Sequence, residues 1–192
     1  MLGVGGLFGL TQLIRTFGTD LFFLDEYRYN RFLGYWDPFQ LAEGAGLQLV
    51  NSYYALSRGG LFGVGFGDSV QKTGYLPFPY TDFIVAIIGE ELGLFGIFLL
   101  LSVFALMVSR MILTAIRSKS AFNSLLSIGV ASMFLIQGMI NLMSVVGLMP
   151  ITGMTFPFIS YGGSSLMVLS VSIGLVANIS ARVNYQRAKT QL

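Results

Sequence analysis

The chain alternates long apolar runs with short polar connections, and one extended polar stretch lies near its beginning. From residue 120 to residue 181, a run of 62, no side chain other than Tyr161 can ionise. A water-facing surface does not tolerate such a run, and a helix needs about 20 apolar residues to cross the hydrocarbon of a bilayer. Pro150, Pro157 and Gly162-Gly163 punctuate the run midway. It therefore predicts two spans, 125–149 and 162–181. A third is predicted at 83–108, where Leu92 to Val108 carries no charge and only Glu90 and Glu91 interrupt the first turns. Residues 1–18 are apolar to Leu10 but then carry Gln12 and Arg15. They are too short to cross alone and lack the basic start of a signal peptide, so they are expected to be the remnant of a longer transmembrane helix in a truncated protein.

The expected fold is an all-α integral membrane protein. It is a polytopic helix bundle with three complete C-terminal transmembrane helices, a partial one, and a large, partly helical extracellular loop at 19–82. Composition agrees with lipid as the solvent. Apolar residues make up 54% of the chain and charged residues 10%, and the mean hydropathy is +0.74, outside the balance of a soluble domain.

Charge placement sets an expected topology. The connection 109–124 holds Arg110, Arg117 and Lys119 and the tail 182–192 holds Arg182, Arg187 and Lys189, while all nine acids lie between Asp20 and Glu91. The positive-inside bias sends both basic segments to the cytoplasm. Three alternating spans satisfy both assignments and put 19–82 and 150–161 outside. The chain has no cysteine and no histidine, so acid–base chemistry falls to carboxylates, lysine or tyrosine.

A loop as long as 19–82 is expected to be functional or to have structure of its own. Asp37-Pro38 reads as a helix start, Asp as cap and Pro at the first position, with the helix running from Phe39 to Ser57. The glycines from Gly59 to Gly67 suit close backbone packing. No Lys-Ser/Thr pair follows them, which argues against a phosphate loop. Lys72 and Arg58 are either phosphate-pairing cations or, respectively, a solvated loop lysine and a charge complementing a helix end.

Asp82 precedes an apolar helix, where Asp is a favoured cap. The alternative is a general base or metal ligand acting on a substrate delivered from the membrane. Glu90 and Glu91 lie about 12 Å further along a helix, at a depth where ionisable groups are functional candidates. Helical angles place Glu90 within about 80° of Asp82 and Glu91 on the opposite side, so at most one of them is expected to join the Asp82 cavity directly, the other packing against protein. Gln137, Asn141 and Ser144 form a polar stripe suited to interhelical hydrogen bonding. Ser160 to Ser165 reads as a cap, a helix contact or part of a channel.

Taken together, Gly63 to Lys72, Thr81-Asp-Phe-Ile84, Gly89-Glu-Glu-Leu-Gly93 and Pro157 to Ser165 resemble, in order and spacing, the motifs of the SEDS family (shape, elongation, division and sporulation), and its division branch more than its elongation branch. The resemblance covers nearly the whole chain and matches the C-terminal half of such a protein. It implies an inverting glycosyltransferase of the bacterial cell membrane that polymerises lipid II into peptidoglycan strands at the outer leaflet, in cell division or cell-shape maintenance. The implied partners are a class B penicillin-binding protein transpeptidase and other division proteins, with no nucleic acid.

The resemblance also implies Asp82 as the catalytic base. Tyr80 stands where the family commonly has His, and Phe78-Pro79 replaces a more polar stretch. Ser69, Gln71, Lys72, Arg58, Glu90, Glu91, Ser160 and Ser164 are candidate substrate-binding residues. A cationic side chain, or a divalent cation (Mg²⁺ or Mn²⁺) held by Asp82, would stabilise the leaving diphosphate. Two other functions stay open. One is a lipid II flippase, suggested by the polar stripe and the intramembrane glutamates; the other is a non-catalytic membrane fragment.

Overall fold

The computed structural model describes residues 26–77 and 79–191; the expected helix remnant at 1–18 lies outside them. Among the described residues the structure is all-helical: α1 (Glu26–Trp36), α2 (Leu47–Gly59), a single 3₁₀ turn (Gln71–Thr73), α3 (Ile84–Arg117), α4 (Ala121–Val145) and α5 (Gly163–Gln191). Three segments, Ile84–Arg117, Ala121–Val145 and Gly163–Lys189, are long and apolar enough to cross a membrane. Only 17% of the most apolar window of α3 is buried within the protein, and Phe98, Leu106 and Ile116 point outward. Such a surface calls for lipid or further apolar helices around it.

The helix expected to start at Asp37-Pro38 does not. Instead, α1 ends there, with Asp37 N–H donating to the Leu33 carbonyl, and residues 37–46 turn before α2 begins at Leu47. The residue before a proline is driven out of the helical region, so this dipeptide terminates a helix as readily as it starts one.

Two apolar cores divide the structure. One gathers Leu49 and Ala55 of α2, Leu76, Phe83, Val85 to Ile87 of α3, Val145, Ile151 and Phe156, and so seats the segments before α3 and after α4 on one end of the bundle. The other joins Val108 and Met111 of α3, Val130, Ala131 and Phe134 of α4, and Leu169 and Val176 of α5. A turn of three residues connects α3 to α4, and the two helices pack along each other.

α3 is broken. Gly93 leaves the helical region at φ 67°, ψ −166°, which frees backbone groups that lipid cannot satisfy. The glycine-rich loop after α2 takes them up from both sides of the break. Val64 and Gly65 N–H donate to the carbonyls of Glu90 and Glu91 at 3.0 and 3.1 Å, while Leu94 and Phe95 N–H donate to those of Gly60 and Leu61 at 2.9 and 3.2 Å. A side chain on Gly93 would strike the Gly63 nitrogen and the Leu61 carbonyl. The glycine run thus serves close backbone packing.

Candidate functional site

Asp82 is not a helix cap. α3 starts one residue later, with Phe83 in the cap position and no side-chain cap bond. Phe83 is fully buried and anchors the turn. The Asp82 peptide is held from α4, where Asn141 Nδ2 donates to the Asp82 carbonyl at 2.8 Å and to the Met154 carbonyl at 2.7 Å. With its backbone tied on the bundle side, the carboxylate is spared from capping.

The group facing that carboxylate is Arg31 of α1, which the sequence reading did not single out. Arg31 Nη1 donates to the Ile151 carbonyl at 2.9 Å. A Cβ built on Gly153 would lie 3.4 Å from Arg31 Nη1 and 3.5 Å from Asp82 Oδ2, so the guanidinium and the carboxylate converge on the bare face of this glycine. Gly153 has φ 72°, a conformation that L side chains rarely adopt. Burial pushes the Asp82 carboxyl above its ordinary value of 3.8; a hydrogen bond with Thr81 and the charge of Arg31 oppose the shift without cancelling it.

The polar stripe of α4 holds this region together, but through a loop more than through helix-to-helix bonds. Gln137 Nε2 donates to the Thr155 carbonyl at 2.9 Å and lies 3.5 Å from the Ser165 hydroxyl of α5. Asn141 holds Met154 and Asp82. Ser144 donates within its own helix to the Ile140 carbonyl at 2.9 Å and lies 3.4 Å from the Pro150 carbonyl. The segment 150–155 is irregular backbone that needs polar partners at this depth, and the stripe supplies them.

Glu90 does not join Asp82. Because Asp82 precedes the helix, helical angles measured from it do not apply, and both glutamates turn to the loop after the glycine run. Glu90 is fully buried. Its Oε2 accepts from the Ser69 hydroxyl at 2.5 Å and from Gln71 N–H at 3.3 Å; its Oε1 accepts from Val70 N–H at 3.1 Å and lies 3.5 Å from Arg58 Nη1. Glu91 pairs with Lys72 Nζ at 2.6 Å, and the same ammonium donates to the Gly67 carbonyl. Ser69, Gln71, Lys72 and Arg58 therefore form one cluster around the glutamates, and both cations of that cluster already have carboxylate partners.

Ser160 Oγ accepts from Phe156 N–H at 2.7 Å and closes the turn before α5. With Tyr80, Ile84, Phe158, Tyr161 and Leu166 it lines a mainly apolar groove of about 560 Å³, fastened by Tyr161 N–H on the Tyr80 carbonyl at 2.8 Å. Ser164 stands exposed in the first turn of α5, outside the groove lining.

Among the described residues no group of three His, Cys, Asp or Glu side chains could hold a metal ion. Of the described residues, a Mg²⁺ or Mn²⁺ at Asp82 would rest on one carboxylate, together with the substrate's own phosphates, beside a guanidinium that repels it. These residues do not form a metal cradle.

A sequence model of the FtsW/RodA/SpoVE family, described as "Cell cycle protein", matches residues 4–185. The chain is 52% identical over 166 residues to the probable peptidoglycan glycosyltransferase FtsW of Bacillus subtilis (strain 168), covering 86% of this chain and 41% of that protein. To stage V sporulation protein E of the same bacterium it is 42% identical over 184 residues, covering 96% and 48%. Among solved structures it is similar to a chain from a peptidoglycan synthase complex that coordinates polymerization and crosslinking. There the TM-score is 0.65 and the identity 28%, over 94% of this chain and 48% of that one. The chain thus spans somewhat under half the length of these relatives.

Proposed function

We propose that this chain, which belongs to the FtsW/RodA/SpoVE (SEDS) family, carries the catalytic carboxylate of a membrane peptidoglycan glycosyltransferase. The reaction is polymerisation of lipid II at the outer leaflet of a bacterial cell membrane, beside a class B penicillin-binding protein. The observation that carries this reading is the placement of Asp82: it is spared from capping, half-buried at the end of an apolar helix, and set opposite Arg31 across the open face of Gly153.

Asp82 takes the proton from the acceptor sugar hydroxyl as that oxygen attacks the donor anomeric carbon. The bond to the polyprenyl diphosphate breaks and the configuration inverts. A carboxyl held above its ordinary value is a stronger base once ionised. Arg31, rather than Lys72 or Arg58, supplies positive charge where the diphosphate departs, a bidentate donor matched to phosphate oxygens. The apolar groove beginning at Tyr80, two residues from Asp82, suits a lipid-linked substrate. Ser69, Gln71, Lys72 and Arg58 then shape the loop leading to Asp82 instead of touching substrate.

The basic segments 109–124 and 182–192 lie in the cytoplasm in this arrangement, with Asp82 at the outer face. The test supplies labelled lipid II on the outer side of vesicles containing the protein and its penicillin-binding partner. Asp82→Ala is expected to abolish glycan polymerisation; retained polymerisation overturns the assignment. A flippase instead requires the parent protein to translocate lipid II and Asp82→Ala to block that translocation, with no polymerisation of externally supplied lipid II by either.

A further inference from the structure

At the end of the bundle opposite Asp82, the last turns of α3 and α5 enclose a small pocket of about 60 Å³. Arg110, Thr114 and Arg117 line it from α3, and Ser180 and Asn184 from α5. Arg110 and Arg117 are seven residues apart, so they share one face within about 20° and stand about 10 Å apart along the axis. Thr114 lies between them, its hydroxyl held on the Arg110 carbonyl at 2.9 Å. Arg117 also complements the carbonyl end of α3.

None of the chain's acids lies beyond Glu91, so no acidic side chain of residues 92–192 balances these guanidiniums. Both guanidiniums reach solvent, an oxyanion complements them, and the size of the pocket selects which kind. It is far smaller than the roughly 300–1,000 Å³ that encloses a drug-sized ligand, and so admits an oxyanion head rather than a nucleotide or sugar. The side of α3 beside it is apolar and outward, with Ile112 40% and Ile116 73% exposed, and Leu113, itself 38% exposed, lines the pocket. An occupant with acyl chains would lay them along this face.

We propose that the pocket between α3 and α5 binds the phosphodiester of an anionic phospholipid from the leaflet at the basic end of the bundle. Arg110 and Arg117 neutralise the phosphate, and Ser180 and Asn184 contribute neutral hydrogen bonds. The site does not depend on the glycosyltransferase reading, because it is remote from Asp82 and involves none of the same residues.

The test is native mass spectrometry of the full chain in detergent micelles, titrated with phosphatidylglycerol or phosphatidylcholine. Retention of phosphatidylglycerol over phosphatidylcholine is expected. The double substitution Arg110→Gln/Arg117→Gln is expected to weaken phosphatidylglycerol binding by on the order of tenfold or more. Arg187→Gln/Lys189→Gln, which removes the same charge outside the pocket, should leave it unchanged. Ser180→Leu fills the pocket while keeping both arginines; it should lose the lipid as well, and decides the matter if the arginine variant does not fold. Equal binding of the two lipids, undiminished binding by the Arg110/Arg117 or Ser180→Leu variants, or equal loss in the Arg187/Lys189 control overturns the proposal. Displacement of phosphatidylglycerol by millimolar inorganic phosphate overturns the lipid assignment in favour of a soluble anion.

Discussion

Removing the Glu90 carboxylate is expected to unfasten the loop that leads to Asp82. Glu90 is fully buried and accepts from the Ser69 hydroxyl and from Val70 and Gln71 N–H, with Arg58 as its ionic neighbour. Glu90→Ala leaves these donors facing a void. Each hydrogen bond to a charged group contributes about 1.5–3 kcal/mol. The three do not sum, because the loop backbone can relax and reach water. The Arg58 contribution is discounted, since that side chain is 46% exposed and solvent screens such a pair. The expected loss is therefore about 3–5 kcal/mol, the range for removing one partner from a buried charged cluster. For a chain of this length that lowers the unfolding midpoint by on the order of 10 °C.

Glu90→Gln keeps the shape and one acceptor oxygen but turns an amide NH₂ toward donors, so a smaller loss of about 1–2 kcal/mol is expected. Ser69→Ala should cost a similar amount, and the Glu90→Ala/Ser69→Ala pair should fall short of additivity by at least about 0.5 kcal/mol. The assay is thermal unfolding in nanodiscs, followed by helix signal and by protease nicking within residues 60–77. A Glu90→Ala midpoint within 2 °C of the parent, with unchanged nicking, would refute the view that this carboxylate holds the loop.

Gly93→Ala forces a side chain into the Gly63 and Leu61 backbone at positive φ. It should destabilise by about 2 kcal/mol or more, and an unshifted unfolding midpoint would show that the break in α3 is not required. Arg31→Ala is expected to cut polymerisation by roughly a hundredfold or more, with Arg31→Lys restoring part of it; equal rates in the three proteins would remove Arg31 from the site. For Asp82, a folded pKa above the unfolded value means that the folded state holds the proton more tightly. The associated destabilisation is absent below the ordinary value of 3.8, and is complete once pH exceeds the raised folded value. Asp82→Asn should accordingly gain stability relative to the parent as pH rises through that window, and the activity of the parent should fall on acidification with a midpoint above 3.8. A midpoint at or below it contradicts the buried environment.

The apolar periods, the charge gap at 120–181 and the four ordered motifs were enough to read an all-helical membrane protein of the SEDS family, because crossing lipid imposes a length and a composition that no other solvent demands. The singling out of Asp82 likewise came from a linear motif, but its chemical situation did not. That depended on α3 starting one residue too late for Asp82 to cap it, and on Arg31 reaching it from α1, contacts between segments about 50 residues apart in a chain whose local pattern around Arg31 shows only a polar stretch. The same holds for the glutamates. Helical periodicity set Glu90 nearer to Asp82 than Glu91, yet a glycine break and a docked loop gave it Ser69 and Arg58 instead. Local sequence governs which segments are helical and which are dissolved in lipid; which charges meet is settled by packing, where an unpaired buried carboxylate is too costly to leave alone.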